Sequence, residues 1–177
     1  NCNRRHDGAP TDPDMTVLRF DDTATGKPYI VYVNYTAHGT IMTPEIMEVS
    51  GGWPGVMQRT VEEIEGGAMC MYSNGAEGDV APANYSGGSR FEMAENYGRR
   101  AGLAAARIAG TIATAPVTDF RLAAHWVTLP QRTPSPDFMK DAGDEYKVDE
   151  KMLTLLLGIL FPKEAPMYAW RVNEFGL

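Results

Sequence analysis

Cysteine is scarce in this chain: 177 residues hold two, Cys2 and Cys70, and no C-x-x-C pair. That argues against a thiolate metal centre and leaves the two thiols as either one disulfide or two free groups. Clustered positive charge is also lacking. Arg4-Arg5 and Arg99-Arg100 are the only dense basic spots, and the net charge is −7 with a pI near 4.9. Nucleic-acid binding needs Lys and Arg gathered on one face, so that class of partner is not expected. No apolar run is long enough for a bilayer. The most apolar stretch, 152–161, is interrupted by Thr154 and Gly158 and falls short of the roughly 20 residues a span requires. No signal peptide, repeat or low-complexity tract is visible. An initiating Met is missing before Asn1-Cys2-Asn3, and the last residues, Phe175-Gly176-Leu177, follow a strand-like stretch directly. The sequence is therefore expected to be an interior piece of a larger domain.

Apolar residues at 44%, aromatics at 10% and charged residues at 22% are the balance of a globular protein with a real core. Residues 17–20 read as a short strand. After a turn-rich stretch at 21–27, the β-branched and aromatic residues 29–35 read as a buried strand that pairs with the first as a hairpin. Trp53, Met57, Val61 and Ile64 recur at helical spacing, with Pro54 in the first turn and Gly66-Gly67 as the stop. Residues 68–72 form another apolar strand. The longest helix is predicted over 91–113, with Tyr97, Ala101, Ala104, Ile108 and Ile112 as its stripe, small enough to approach a sheet closely. A strand at 120–129, a surface connection at 131–146, a helix at 149–161 and a strand at 168–172 complete the pattern. Strands alternating with helices predict an α/β domain with a mixed β-sheet flanked by helices.

Two places could carry chemistry. His38 follows a buried strand, with Gly39 giving backbone access, and ligands of α/β folds gather outside the carboxyl ends of strands. An imidazole there can bind zinc or act as a base; the plainer reading is a hydrogen-bonded histidine at a strand end. Residues 73–84, rich in Gly, Asn and Asp, also follow a strand. Asn74, Gly75 and Gly78 could turn backbone N–H groups toward a substrate anion or a developing oxyanion, and Asp79 could position a water. The alternative is a plain turn with Asx hydrogen bonds. Asn3-Arg4-Arg5 adds arginines that can clamp a carboxylate, though paired arginines of this kind are often merely solvated. His6 and His125 are assigned no role, and the sequons at Asn34 and Asn84 are discounted as chance triplets.

In order, these pieces resemble the neutral/alkaline non-lysosomal ceramidase family, in its amino-terminal catalytic domain. Asn3-Arg4-Arg5 is similar to the family's Asn-Arg segment, and residues 12–20 resemble its D-P-x-x-x-V-L-R-F strand. Residues 34–40 resemble N-[FW]-x-x-H-x-T, with Tyr35 at the aromatic position. Residues 50–55 resemble the helix start at S-x-D-x-x-G, with Gly52 in place of Asp. Residues 78–82 resemble G-D-V-S-P except at Ala81. The likeness is closest over 1–113 and looser beyond.

The resemblance implies a zinc-dependent amidohydrolase that cleaves the N-acyl bond of ceramide or a related lipid amide. His38 falls on one of the family's zinc-binding histidines and Arg4 on an active-site arginine. The family's other zinc ligands are a histidine upstream of this chain and a Glu and a Tyr downstream, so the rest of the catalytic domain is an expected partner. The family's nucleophilic serine falls at Ala81, which has no hydroxyl. Catalysis here would then use zinc-activated water, with Arg4 and the loop N–H groups stabilising the oxyanion and Asp79 in support. The alternative is a catalytically inactive lipid- or glycan-binding module of the same fold. The resemblance also implies an extracellular or periplasmic location and contact with a membrane surface.

Overall fold

The computed structural model describes residues 1–4, 8–117, 119, 121, 125–126, 149, 151–152, 155 and 168–169. The chain divides into two compact units, Asn1–Ala115 and Pro116–Leu177.

The first unit holds a three-stranded mixed sheet. Strand β2 (Met15–Asp21) pairs antiparallel with β3 (Pro28–Tyr35), as the hairpin reading predicts, and is three residues longer than expected. The turn between them is closed by Asp22: its Oδ1 accepts from the N–H groups of Ala24 (3.1 Å) and Thr25 (2.7 Å), an acidic side chain satisfying local donors that the strands cannot reach. Strand β4 (Met69–Asn74) lies parallel to β3, with Tyr32 opposite Met71 and Tyr35 opposite Asn74. Ser73 and Asn74 therefore belong to the strand, a correction to the loop predicted from residue 73. Polar residues that propensity assigns to a turn are held in the ladder because Asn34 Nδ2 donates to the Ser73 hydroxyl (2.9 Å) and Tyr32 shares a 2.6 Å hydrogen bond with it.

Helix α1 (Gly52–Ile64) crosses from β3 back to β4 and buries Trp53, Val56, Met57, Thr60 and Val61. Its end has the expected glycines. Gly66 takes a φ of 70°, and the Gly67 N–H reaches back to the Glu62 carbonyl at 2.8 Å, a six-to-one closure that a residue with a Cβ would resist. Ile64, read as part of the buried stripe, is half exposed, because it is the last helical residue before the chain turns away.

Helix α2 (Arg90–Ala109) starts on a complete capping box. The Ser89 hydroxyl accepts from the Glu92 N–H (3.2 Å), and the Glu92 carboxylate accepts from the N–H groups of Ser89 (2.9 Å) and Gly88 (2.7 Å). Replacing Ser89 with Ala is expected to cost about 1 kcal/mol of stability, read as a lower urea midpoint at unchanged slope. The helix stops at Gly110 rather than running to residue 113. Thr111 and Ile112 donate to the carbonyls of Ile108 (2.9 Å) and Ala109 (3.1 Å), tightening the last turn. The buried line is also rotated from the predicted one. Ala94, Tyr97, Gly98, Ala101, Gly102, Ala105 and Ala109 face inward, while Ala104 is exposed and Ile108 half-buried. The small residues serve a close approach to α1 rather than to the sheet: a Cβ on Gly98 would lie 2.5 Å from the Trp53 carbonyl oxygen, and one on Gly102 would lie 2.5 Å from Thr60 Cβ. At its far end α2 is tied to the sheet by Arg19, which donates to the Ala109 carbonyl (3.2 Å) and pairs with Asp21 at 2.7 Å.

Between helices and sheet lies one apolar core, centred on Val31, Val33, Trp53, Met57, Val61, Cys70, Ala101 and Ala105. Cys2 is exposed and Cys70 buried, and both are free thiols. Burial, and then the charge of Glu62, push the Cys70 thiol up to about 11, so it packs as a small hydrophobe.

In the second unit, β6 (His125–Trp126) pairs antiparallel with β7 (Tyr168–Ala169), at two of the predicted strand positions. Lys151, Met152 and Leu155 are helical, with the Met152 N–H capped by the Asp149 carboxylate at 2.7 Å. The rest of the readings over 118–177, and those at Arg5 and His6, lie outside the described residues. Among the described residues, no helix is long and apolar enough to cross a membrane.

Candidate functional site

Parallel pairing of β3 and β4 delivers both carboxyl ends to the same edge of the sheet, which is where α/β folds build sites. From β3 the chain continues through Thr36 and Ala37, both buried, to His38. From β4 it continues into Gly75, Glu77, Gly78 and Asp79. These two segments are then clamped by a pair of short strands that the sequence did not reveal: β1 (Cys2–Asn3) runs antiparallel to β5 (Val80–Ala81), with Cys2 opposite Ala81 and Asn3 opposite Val80. The loop predicted over 73–84 thus contains a strand end at one side and a strand in its middle.

The clamp fixes His38 on both sides of its peptide. Its N–H donates to the Val80 carbonyl at 3.0 Å, and its own carbonyl accepts from the buried Trp53 indole N–H at 2.8 Å. With both main-chain groups satisfied, the imidazole projects from a fixed base, about a quarter exposed. Its Nδ1 lies 3.5 Å from Glu77 Oε1. The other oxygen of that carboxylate, Oε2, is buried without a hydrogen-bond partner. Glu77 was not foreseen as a site residue. The available signal was an acid in the loop after β4, and it becomes meaningful only once β3 and β4 are known to be adjacent and parallel.

Arg4, Gly78, Asp79 and Ala81, singled out from the sequence, come together on this same clamp. The Arg4 N–H donates to the Asp79 carbonyl at 2.8 Å and its Nη2 to the Gly78 carbonyl at 3.0 Å. The Asp79 carboxylate accepts from Asn3 Nδ2 at 2.7 Å. Arg4, Gly78 and Asp79 are exposed, and Ala81 is half-buried. Asn74 and Gly75 play more structural parts. Asn74 ends β4, and the single proton of the Tyr72 hydroxyl is offered to two acceptors, the Asn74 side-chain oxygen and the Tyr35 carbonyl at 2.9 Å. Burial, aided by the charge of Glu77, pushes the Tyr72 phenol well above its ordinary range, so it stays a donor. The Gly75 N–H bonds the Tyr35 carbonyl at 3.4 Å, and a Cβ there would collide with the Thr36 hydroxyl. Its N–H is thereby committed to the backbone.

Beneath the site, Trp53 is fully buried and meets three tyrosine rings edge to face: Tyr97 at 5.1 Å, Tyr72 at 5.4 Å and Tyr35 at 6.2 Å between centroids. Such pairs add about 0.5–1.5 kcal/mol each beyond their area, which makes a rigid floor for the strand ends above.

His38 could offer one ring nitrogen to a metal. With Nδ1 turned to a carboxylate, Nε2 is left for a metal, the arrangement metal-binding histidines commonly show. A catalytic zinc takes about three protein ligands, and among the described residues no three His, Cys, Asp or Glu side chains gather around one point. A zinc centre built on His38 therefore needs ligands from outside the described residues.

The mixed sheet, its two helices and the loops at the carboxyl ends of its parallel strands make a ceramidase-like α/β fold. The crystal structure of neutral ceramidase from Pseudomonas aeruginosa is similar at 25% sequence identity and a TM-score of 0.51, over 56% of this chain and 17% of that one. No family model and no curated protein matches the chain.

Proposed function

We propose that this chain contributes the strand-end part of a ceramidase-like hydrolase acting on an N-acyl amide, with a small-molecule or lipid amide as substrate. The observation that carries the reading is the convergence of His38, Glu77, Arg4 and the loop 78–81 on one sheet edge of a ceramidase-like fold. His38 would hold a zinc ion through Nε2. When bound, zinc supplies a Lewis acid for the amide carbonyl and lowers the pKa of water. Arg4 would stabilise negative charge developing on the carbonyl oxygen: one of its N–H groups is anchored on Gly78 while the guanidinium carries further donors. Asp79, fastened to Asn3, orders the loop. Since Ala81 has no hydroxyl, water takes the place of a serine as nucleophile. Ceramide itself, a membrane surface and an extracellular or periplasmic site of action belong to the same proposal.

Ala81 also favours a second reading, a lipid- or glycan-binding module that keeps the fold without turnover. Zinc analysis of the longest native form of the protein, and its hydrolysis of a panel of N-acyl amides, separate the two. About one zinc per chain and measurable turnover are expected, both lost on His38→Ala. Turnover that survives His38→Ala would sink the hydrolase mechanism, and absence of both zinc and turnover in the unsubstituted protein would leave the binding module.

A further inference from the structure

We infer that Glu77 is the positioning residue for His38: its carboxylate holds the imidazole as the Nδ1–H tautomer, so that Nε2 is the nitrogen offered outward. Three observations carry this. First, Nδ1 is 3.5 Å from Glu77 Oε1. A lone pair on Nδ1 would face an anion across that gap, whereas a proton there is attracted by it. The gap is about half an ångström longer than the usual N–H···O hydrogen bond, so the carboxylate acts on the ring here by charge rather than by a full hydrogen bond; such contacts often run long before substrate binds. Second, Glu77 Oε2 is buried and has no hydrogen-bond partner. The carboxylate thus has no competing hydrogen bond at that oxygen, and Nδ1 of His38 is the proton site beside its other oxygen. Third, both partners sit on fixed backbone. The His38 N–H bonds the Val80 carbonyl at 3.0 Å, and the Val80 N–H bonds the Glu77 carbonyl at 2.9 Å. A short hydrogen-bonded relay thus sets the two side chains against each other whether or not a ligand is present.

The geometry also assigns what Glu77 does not do. The two ring nitrogens point in divergent directions, so a carboxylate on Nδ1 stands behind the ring as seen from anything bound to Nε2. Glu77 is therefore not the base that takes a proton from water at the reacting face. Its work is to fix the tautomer and raise the donor strength of Nε2.

The ligand-affinity part of this inference rests on the zinc reading above, but the tautomer part does not, and one experiment separates them. Two-bond 15N–1H correlation spectra of the metal-free full chain, recorded where imidazole is neutral, report which nitrogen of His38 carries the proton. The Nδ1–H pattern is expected. Glu77→Ala should lower that population, and Glu77→Gln, which keeps an oxygen acceptor, should restore part of it. An Nε2–H pattern in the unsubstituted chain would overturn the proposal even if neither variant folds, and so would a pattern that does not change in folded Glu77→Ala. Zinc titration of the same samples should show binding about 10–100-fold weaker in Glu77→Ala. Equal affinity would overturn the claim that Glu77 strengthens the ligand. No zinc binding by any sample, with the Nδ1–H pattern intact, would defeat the zinc reading and leave the positioning role standing.

Discussion

Replacing Gly98 with Val is expected to remove about 3 kcal/mol of stability and to lower the unfolding midpoint of the chain sharply. The expectation follows from where α2 meets α1. A Cβ at Gly98 would stand 2.5 Å from the Trp53 carbonyl oxygen and 2.6 Å from Val56 Cβ. The first of these is backbone inside a helix and cannot rotate away. Relief requires the helices to separate, and separation opens gaps along a contact line built from Ala94, Ala101, Gly102 and Ala105. Overpacking of this kind costs about 1–3 kcal/mol, and valine brings two methyl groups beyond the Cβ that already collides. Opposing it is the gain in helix propensity over glycine, less than about 1 kcal/mol, which is too small to decide the sign. Leu103→Ala on the outer side of α2, where the side chain is half exposed, should stay within about 0.5 kcal/mol and serves as the control. Urea denaturation followed by far-UV circular dichroism reads both. A midpoint for Gly98→Val equal to that of the unsubstituted chain would show that the helix crossing is looser than its geometry indicates.

The same crossing explains why the sheet is easier to read from the residues than the helix face. The β-branched and aromatic run 29–35, with Val31 and Val33 buried, carries a strong strand preference, and the hairpin was legible for that reason. In α2, alanines at 101, 104, 105, 106 and 109 make several helical phases equally apolar. The decisive residues are Gly98 and Gly102, which carry no hydrophobic signal and acquire meaning only against Trp53 and Thr60 of another helix. Likewise β1 and β5 are two residues each and pair across nearly 80 positions of sequence, too short for any periodicity. His38, Arg4 and the Gly78–Asp79 segment could be singled out by residue type and by position after a strand. Glu77 could not, because its role is created by parallel β3–β4 pairing, a long-range fact with no local trace.

Trp53→Ala is expected to cost about 3–5 kcal/mol, and its consequences should reach the site. The indole is fully buried, packs edge to face on Tyr35, Tyr72 and Tyr97, and donates to the His38 carbonyl at 2.8 Å. Alanine would leave a cavity among those three rings and a carbonyl without its donor. Tyr35 and Tyr72 are the last aromatic residues of the parallel strands, so a collapse of the floor would move the point from which both site loops start. Trp53→Phe separates the two effects. A smaller aromatic ring retains much of the packing, while the hydrogen bond to His38 is lost, at a cost of about 1–2 kcal/mol for a buried carbonyl left without its partner. If Trp53 also steadies His38, the Phe variant should keep a cooperative unfolding transition while amide exchange at residues 36–39 quickens. A Phe variant with lower stability but unchanged exchange at those positions would confine Trp53 to the core. It would make the β1–β5 clamp, acting through the 3.0 Å bond from His38 N–H to the Val80 carbonyl, the sole backbone support of the histidine.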